Sequence, residues 1–247
     1  MSINVDLSEQ KLTFPHGGAN LLFHPLRMVV AGPSGSGKSW LIVKMIEHRE
    51  QLFSTKFHRI LYCVPSKMSQ IHHHIFDEIK KFFPSAEFHL DLPKADVIVG
   101  DNLPKLIILD DMMQQIYTSQ FMEDVFIQHS HHSSCSIIFT SQNFFSNTKN
   151  KTIVRQCNYK IIFQSPSDLV LLRHISCQLK PDDSNFLIKI FDALEKLFPN
   201  DDYKYVLIDG EPRSKMKQLR VRTHILPNRE GRIEPLWVFF SSESHKK

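Results

Sequence analysis

The stretch that decides the fold is Gly32-Pro33-Ser34-Gly35-Ser36-Gly37-Lys38-Ser39, which matches the pattern G-x-x-x-x-G-K-[ST] at every fixed position. An apolar run, residues 26–31, precedes it, and residues 39–52 carry apolar side chains at helical spacing. The glycines let the backbone turn so that successive N–H groups face a phosphate, and the helix N-terminus adds partial positive charge. The sequence therefore predicts a phosphate-binding loop between a strand and a helix, rather than a chance glycine turn.

The same pattern predicts what the loop binds. Lys38 is expected to reach the β- and γ-phosphates of ATP, and the hydroxyl of Ser39 is expected to ligate Mg²⁺. ATP and Mg²⁺ are therefore the predicted cofactors. The residues expected to contact the nucleotide are continuous in sequence: Gly32, Pro33, Ser34, Gly35, Ser36, Gly37, Lys38, Ser39 and Trp40.

A second apolar run ends in two acids, Leu106-Ile107-Ile108-Leu109-Asp110-Asp111. A buried strand here would carry Asp110 to the carboxyl edge of a parallel sheet, beside the phosphate loop. We expect Asp110 to hold the metal, directly or through a water, and Asp111 to orient the attacking water as a base. The alternative is an acidic loop that caps the following helix. The second acid favours hydrolysis over phosphoryl transfer to a bound metabolite.

A polar cluster follows a third apolar run, residues 136–140. An amide here can hydrogen-bond both the γ-phosphate and the attacking water, and so report whether the phosphate is present. Gln142 is the first candidate for this sensor and Asn143 the second. A polar turn after a strand is the alternative interpretation.

Short apolar runs alternate with longer helical patterns along the chain. The predicted strands are 26–31, 59–64, 95–99, 106–109, 136–140, 159–163 and 205–209. The predicted helices are 39–52, 71–83, 121–129, 168–177 and 183–197. This alternation predicts an α/β fold with a mainly parallel sheet covered on both faces by helices.

The chain divides into three predicted parts. Residues 1–25 form an N-terminal extension, and residues 26–212 form the domain that carries the phosphate loop. Residues 213–247 form a basic edge strand or hairpin and a tail, because residues 218–224 alternate basic and apolar side chains. The densest basic run is Arg213, Lys215, Lys217, Arg220 and Arg222. These charges could contact a nucleic-acid backbone or, equally, protect an edge strand.

Composition limits the class of protein without identifying a partner. The 247 residues are 42% hydrophobic and 23% charged, as in an ordinary globular protein. The net charge of +4 permits a nucleic-acid partner but does not imply one. Residues 1–10 are polar and unlike a signal peptide, and no apolar stretch approaches the ~20 residues of a membrane span. An intracellular, soluble protein is expected.

Cysteine and histidine usage gives little sign of a metal site. Cys63, Cys135, Cys157 and Cys177 include no CxxC pair, and buried free thiols are expected for the three in or beside apolar runs. His129, His131 and His132 lie close to Cys135, but no second Cys/His pair stands at zinc-finger spacing. The run His72-His73-His74 is expected on the solvated face of a helix.

The order of these motifs resembles the viral DNA-packaging ATPases of the FtsK/HerA superfamily, and in particular the poxvirus-like type also found in Polinton and adintovirus-like elements. Between residues 26 and 226, the matching segments are the phosphate loop, the Asp-Asp strand, His131-His132, Thr140-Ser141-Gln142-Asn143, Asn158-Tyr159-Lys160-Ile161-Ile162-Phe163, Pro166-Ser167-Asp168 and Tyr205-Val206-Leu207-Ile208-Asp209. Two departures are Ser133-Ser134, where the family often has a basic residue and an asparagine, and Ser141, which loosens the assignment of the sensor amide.

The resemblance implies an ASCE/RecA-like P-loop NTPase that assembles into a homo-oligomeric ring and translocates double-stranded DNA into a capsid. Its implied partners are the DNA and the viral capsid or procapsid proteins, at sites of virion assembly in the host nucleus or cytoplasm. In such rings an arginine of the neighbouring subunit completes the site. Arg155 and Arg173 are the candidates, and a surface salt bridge is the alternative for each.

Two other classes of function are compatible with a phosphate loop. A small-molecule or nucleotide kinase usually carries an arginine-rich lid, but residues 112–135 contain no arginine. A slow regulatory NTPase switch is disfavoured by the adjacent acids and the downstream amide. DNA-stimulated ATPase activity separates the three hypotheses.

Overall fold

The computed structural model describes residues 22–126, 134–142, 148–165, 168–201, 204–214, 220–228, 230–233 and 236–237. Their strands form one sheet in the order β3-β2-β4-β5-β1-β6-β7-β8-β9. The strands are β1 Arg27–Ala31, β2 Arg59–Val64, β3 Glu87–Leu90, β4 Lys105–Leu109, β5 Cys135–Ser141, β6 Tyr159–Phe163, β7 Tyr205–Asp209, β8 Val221–Thr223 and β9 Leu236–Trp237. The first six are parallel, and β7 to β9 add antiparallel strands at one side.

Helices connect the parallel strands and cover both faces of the sheet. They are α1 Lys38–Glu47, α2 Arg49–Leu52, α3 Ser69–Phe82, α4 Ala95–Val99, α5 Met113–Thr118, α6 Gln120–Asp124, α7 Thr148–Gln156, α8 Leu169–Leu179 and α9 Phe186–Leu197, with a 3₁₀ turn at Ser66–Met68. Alternate residues of each central strand point to opposite faces, so that Met28 and Val30 join one apolar core and Val29 and Ala31 the other. The predicted α/β fold with a mainly parallel sheet is confirmed.

Two elements near the sheet's far edge differ from the prediction. Residues 95–99 form α4 instead of a strand. The parallel strand at this end of the sheet, beside β2, is β3, which the sequence did not predict. In α4 the amide of Gly100 donates to the carbonyl of Asp96 at 2.8 Å, and the apolar Ile98 is fully buried. Since β3 is an edge strand with partly exposed side chains, it lacks the apolar run that marks the central strands.

The helix predicted at 39–52 is interrupted at His48, where α1 ends and α2 begins. At the other side, the sheet continues beyond residue 213 through β8, which lies between β7 and β9. Among the residues that the structure describes, no helix is both long enough and apolar enough to cross a lipid bilayer. Residues 1–21, most of the predicted N-terminal extension, lie outside the described residues.

Candidate nucleotide site

The phosphate loop leaves β1 at the carboxyl edge of the sheet and enters α1 at Lys38. The amide of Gly32 donates to the carbonyl of Ser141 at 3.0 Å, which fixes the start of the loop to the end of β5. Gly35 and Gly37 have φ values of 76° and 89°, a left-handed conformation that side chains rarely adopt. The predicted strand–loop–helix arrangement is therefore present.

The interior of the loop fits a phosphate. A Cβ atom added to Gly32 would lie 2.6 Å from Cβ of Phe163 and 2.8 Å from Oγ of Ser36, so only glycine fits there. The Ser36 hydroxyl is buried and has no hydrogen-bond partner among the described residues. A buried polar group without a partner is uncommon unless a ligand or water completes it. The oxygens of a bound phosphate would supply such a partner.

Lys38 closes over this loop from the first turn of α1. Its Nζ atom donates to the carbonyl oxygens of Gly32 and Pro33, both at 2.8 Å. Burial lowers the pKa of Lys38, while the charges of Asp111 and Asp110 act in the opposite direction. The lysine therefore lies between the loop and the acid pair.

Asp110 follows β4 and is only 1% exposed. Tyr62 and Thr140 donate hydroxyl hydrogen bonds to its two carboxylate oxygens, both at 2.7 Å. Burial opposes the charge of Asp110, but hydrogen bonds from His72, Tyr62, Thr140 and Ser39 outweigh it and hold the pKa below its usual range. The contact with Ser39 brings together the two oxygens predicted to hold Mg²⁺.

Asp111 has its backbone in the left-handed region, with φ of 56°. Its amide donates to Oγ1 of Thr140 at 2.8 Å, so the threonine that donates to Asp110 also fixes the main chain of Asp111. A left-handed aspartate is uncommon, and such conformations cluster at functional sites. Its carboxylate is about one-quarter exposed, whereas that of Asp110 is buried.

His72 joins this site from α3, and its expected place on a solvated face is wrong. The ring is buried, with Nδ1 3.5 Å from Oδ2 of Asp110 and Nε2 3.6 Å from Oδ2 of Asp111. Hydrogen bonding to Asp110, together with the nearby carboxylate of Asp111, raises the pKa of His72 to about 9. His73 and His74 are exposed. The spacing of His72, Ile75 and Ile79, which share the buried face of α3, is the sequence signal that could have revealed it.

Gln142 follows β5 beside the loop. Gln142 is exposed, and it lines a cavity of about 450 Å³ together with Gly32, Pro33, Ser34 and Leu172. The backbone N–H of Gln142 donates to the sulfur of Met113 at 3.1 Å. Asn143, the second sensor candidate, lies outside the described residues.

A larger cavity, about 730 Å³, opens on the other side of the loop, beside Gly37 and Trp40. Its walls include the aromatic side chains of Phe163, Phe198 and Tyr205. His224 also lines it, 4.6 Å from the ring of Phe198 and with Nε2 2.9 Å from a carboxylate oxygen of Asp201. An aromatic cavity next to a phosphate loop suits a flat heterocyclic base.

Both candidate arginines are exposed. Arg155 is exposed on α7, and Arg173 is exposed on α8, where its Nε donates to Oδ1 of Asn185 at 3.1 Å. Within the described ranges, no hydrogen bond or ion pair joins either arginine to the phosphate loop.

Two arginines of the basic C-terminal run form ion pairs within the chain. For Arg222 this contradicts both hypotheses, contact with a nucleic-acid backbone and protection of an edge strand. Arg222 is 2% exposed and pairs with Asp209 at 2.8 Å, because β8 lies inside the sheet. Arg213 pairs with Glu211 at 2.6 Å. Lys215 and Lys217 lie outside the described residues. So do His129, His131 and His132, whereas Cys135 is buried in β5.

A parallel sheet whose first strand ends in a phosphate loop, with an acid pair at the end of a strand one position beyond its neighbour, defines a P-loop nucleoside triphosphatase. The family model described as Poxvirus A32 protein matches residues 16–195, and the chain belongs to this family. The match confirms the resemblance to viral DNA-packaging ATPases and identifies the chain as an ATPase of that class.

Three solved structures are similar to parts of the chain. The genome packaging NTPase B204 of Sulfolobus turreted icosahedral virus 2, in complex with ATP-gammaS, is 14% identical with a TM-score of 0.42, covering 75% of this chain and 92% of that chain. The DNA-packaging ATPase B204 of Sulfolobus Turreted Icosahedral Virus is 14% identical with a TM-score of 0.44, covering 78% of this chain and 95% of that chain. The flagellar accessory protein FlaH of Methanocaldococcus jannaschii is 16% identical with a TM-score of 0.37, covering 57% of this chain and 72% of that chain. No curated protein matches the chain.

Proposed function

We propose that this protein is the Mg²⁺-dependent, ATP-hydrolysing motor that translocates double-stranded DNA into a viral capsid. One observation carries the proposal in this A32-family chain. A buried carboxylate, Asp110, lies beside the Ser39 hydroxyl at the end of the phosphate loop and accepts from the hydroxyls of Tyr62 and Thr140, with the His72 ring 3.5 Å away. Such an oxygen pair beside a phosphate loop suits a divalent cation.

The loop residues would bind the triphosphate. The backbone amides of the segment from Ser34 to Ser39 and the Ser36 hydroxyl would face the phosphate oxygens. Lys38 would exchange its two carbonyl acceptors for the β- and γ-phosphates. Bound Mg²⁺, held by Ser39 and Asp110, would offset negative charge on those phosphates. The nucleoside would occupy the aromatic cavity beside Trp40.

Asp111 and Gln142 would act on the attacking water. The partly exposed carboxylate of Asp111 can accept a proton from a water in line with the γ-phosphate. Gln142 lies at the cavity beside the loop, where its amide can bind both that water and the phosphate. A fixed main chain at Asp111, held by Thr140, supports a preorganised base.

The exposure of Arg155 and Arg173 is compatible with action on a neighbouring subunit in a ring. One observation favours Arg173. It lies three residues after Val170 on α8, and Val170 is 78% exposed, so an apolar side chain and an arginine share one helix face. Exposed apolar side chains beside arginine are typical of protein interfaces. Assembly would occur where virions form, in the host nucleus or cytoplasm, with capsid proteins as partners.

Mixing variants tests the shared site. Arg173→Ala and Arg155→Ala are prepared separately, and each is mixed with Lys38→Ala, which lacks its own phosphate lysine but keeps both arginines. Loss of the arginine that acts in trans should lower the rate by about 10³ to 10⁵ with little change in nucleotide affinity. Partial recovery of ATPase activity in one mixture identifies that arginine. A wild-type rate per subunit that does not depend on protein concentration, down to the monomer, would contradict the ring.

A further inference from the structure

His72 is a buried side chain to which the proposed chemistry gives no task. It lies on α3, in contact with the acids after β4, and its side chain is only 7% exposed. In the described part of the chain, no group of three His, Cys, Asp or Glu side chains is arranged to hold a metal ion. His72 is therefore not explained as a third ligand beside Asp110 and Asp111.

The two nitrogens of the ring face different partners. Nδ1 lies 3.0 Å from the hydroxyl of Tyr62, which itself donates to Asp110. Nε2 lies 3.6 Å from Oδ2 of Asp111 and has no hydrogen-bond partner among the described residues. A buried ring nitrogen without a partner is costly. A small rotation of the Asp111 side chain would bring its carboxylate within hydrogen-bond distance of Nε2.

The backbone of Asp111 is fixed, so that rotation of the side chain is the main movement left to its carboxylate. Thr140 fixes the backbone amide, and φ of 56° sets the direction of the side chain. The carboxylate is about one-quarter exposed, so solvent alone would not hold it in one orientation. His72 is the buried side chain that approaches it in an ion pair.

We propose that His72 is a positioning residue, which holds the carboxylate of Asp111 through Nε2 in the orientation that directs the attacking water. The inference rests on the water-orienting role proposed for Asp111. A base displaced by about 1 Å can cost about 10²-fold in rate, so a second residue that fixes its orientation has a measurable effect. His72 also links α3 to the acid pair, because it lies on this helix and approaches both carboxylates.

Substitutions that keep one nitrogen at a time separate the two sides of the ring. The amide nitrogen of Gln can approximate Nε2, and that of Asn can approximate Nδ1. We expect His72→Asn and His72→Ala to lower kcat by about 10-fold or more, while His72→Gln stays within a few-fold of wild type. The KM for ATP should change little in all three. His73→Asn, an exposed neighbour on the same helix, is the matched control and should behave as wild type.

Two further measurements separate positioning from a purely structural role. The affinity for ATP-gammaS, measured by calorimetry, should be the same in His72→Asn and wild type. The double variant His72→Asn/Asp111→Asn should be no slower than Asp111→Asn alone. In nucleotide-free protein, the two losses in Tm should sum to more than the loss in the double variant, because both single changes remove the same contact.

Three results would overturn the inference. They are normal kcat in His72→Asn, a Gln variant slower than the Asn variant, and kcat losses that multiply in the double variant. If Asp111→Asn is slow and His72→Asn is normal, only the role of His72 is wrong. If Asp111→Asn itself turns over normally, the proposed role of Asp111 is wrong, and the role of His72 with it.

Discussion

Two buried aspartates at opposite edges of the sheet are stabilised in different ways. Asp110, after β4, is at the carboxyl edge, and Asp209, the last residue of the antiparallel β7, is at the amino edge of the parallel strands. Asp209 pairs with the buried guanidinium of Arg222 at 2.8 Å and accepts from the Ser214 hydroxyl at 2.9 Å. Asp110 instead accepts from the hydroxyls of Tyr62 and Thr140, with His72 at 3.5 Å.

The difference shows how one sheet separates stability from function. A carboxylate neutralised by a buried arginine contributes to the fold and has no charge left for a ligand. Asp110 is held mainly by hydroxyl donors, with His72 as a basic neighbour, and so keeps negative charge available to a cation in a site of low dielectric constant, where the attraction is strong. Burial raises the pKa of Tyr62, with Asp110 adding to the effect, so its phenol remains a donor. Substitutions at one edge should therefore change activity, and those at the other should change stability.

The largest effect is expected from Lys38→Ala, at the nucleotide edge. Removing this cation should lower ATP hydrolysis by about 10² to 10³-fold or more, in the range for losing one preorganised electrostatic contact. The nucleotide-free protein should stay folded with only a small fall in Tm, since the side chain makes two hydrogen bonds to the loop and none to the apolar core. Steady-state ATPase assays and thermal unfolding measure both. Normal turnover in a folded Lys38→Ala protein would contradict the nucleotide assignment.

At the opposite edge, Asp209→Asn should lower the free energy of unfolding by about 3 kcal/mol, because it removes the charge that compensates buried Arg222. Urea unfolding measures this change. The ATPase rate per folded molecule should equal that of wild type, since Asp209 lies at the opposite edge of the sheet from the phosphate loop. Full stability in this variant would show that the Arg222 ion pair does not hold β7 and β8 together.

Asp111→Asn should keep ATP binding and slow hydrolysis by about 10²-fold, the usual range for losing a general base. Calorimetry with ATP-gammaS and single-turnover hydrolysis separate binding from chemistry. Asp111→Asn also serves as a contrast to Asp110→Asn, which should weaken Mg²⁺ coordination and so raise the Mg²⁺ concentration for half-maximal rate. If Asp111→Asn hydrolyses ATP normally, another residue orients the water.

Tyr62→Phe should give the smallest effect, because it removes one hydroxyl donor of Asp110 and leaves Thr140. A loss of about 1 kcal/mol in stability is expected for one buried hydrogen bond, with a few-fold rise in the Mg²⁺ concentration for half-maximal rate. Ser214→Ala, which removes the hydroxyl that donates to Asp209 at the other edge, is a control for stability without a change in Mg²⁺ dependence. An equal effect of both on Mg²⁺ would show that the two edges are not independent.

The parts that sequence predicts well are those in which one local pattern decides the structure. The phosphate loop requires glycine at positive φ, and the central strands are apolar on both faces because helices cover both. Residues 95–99 were misassigned because a short apolar run suits a buried helix as well as a strand. His72 and Arg222 were misplaced because their burial depends on Asp110, Asp111 and Asp209, acids that are distant in sequence and adjacent only in the fold.

The most direct test of the central claim is the ATPase rate measured with and without duplex DNA in wild type, Asp110→Asn and Asp209→Asn. We expect a wild-type rate that requires Mg²⁺ and rises with duplex DNA, the same response in Asp209→Asn, and about 10²-fold less activity in Asp110→Asn. A rate that DNA does not change, or phosphate transferred to a nucleotide acceptor instead of water, would contradict a DNA-translocating motor.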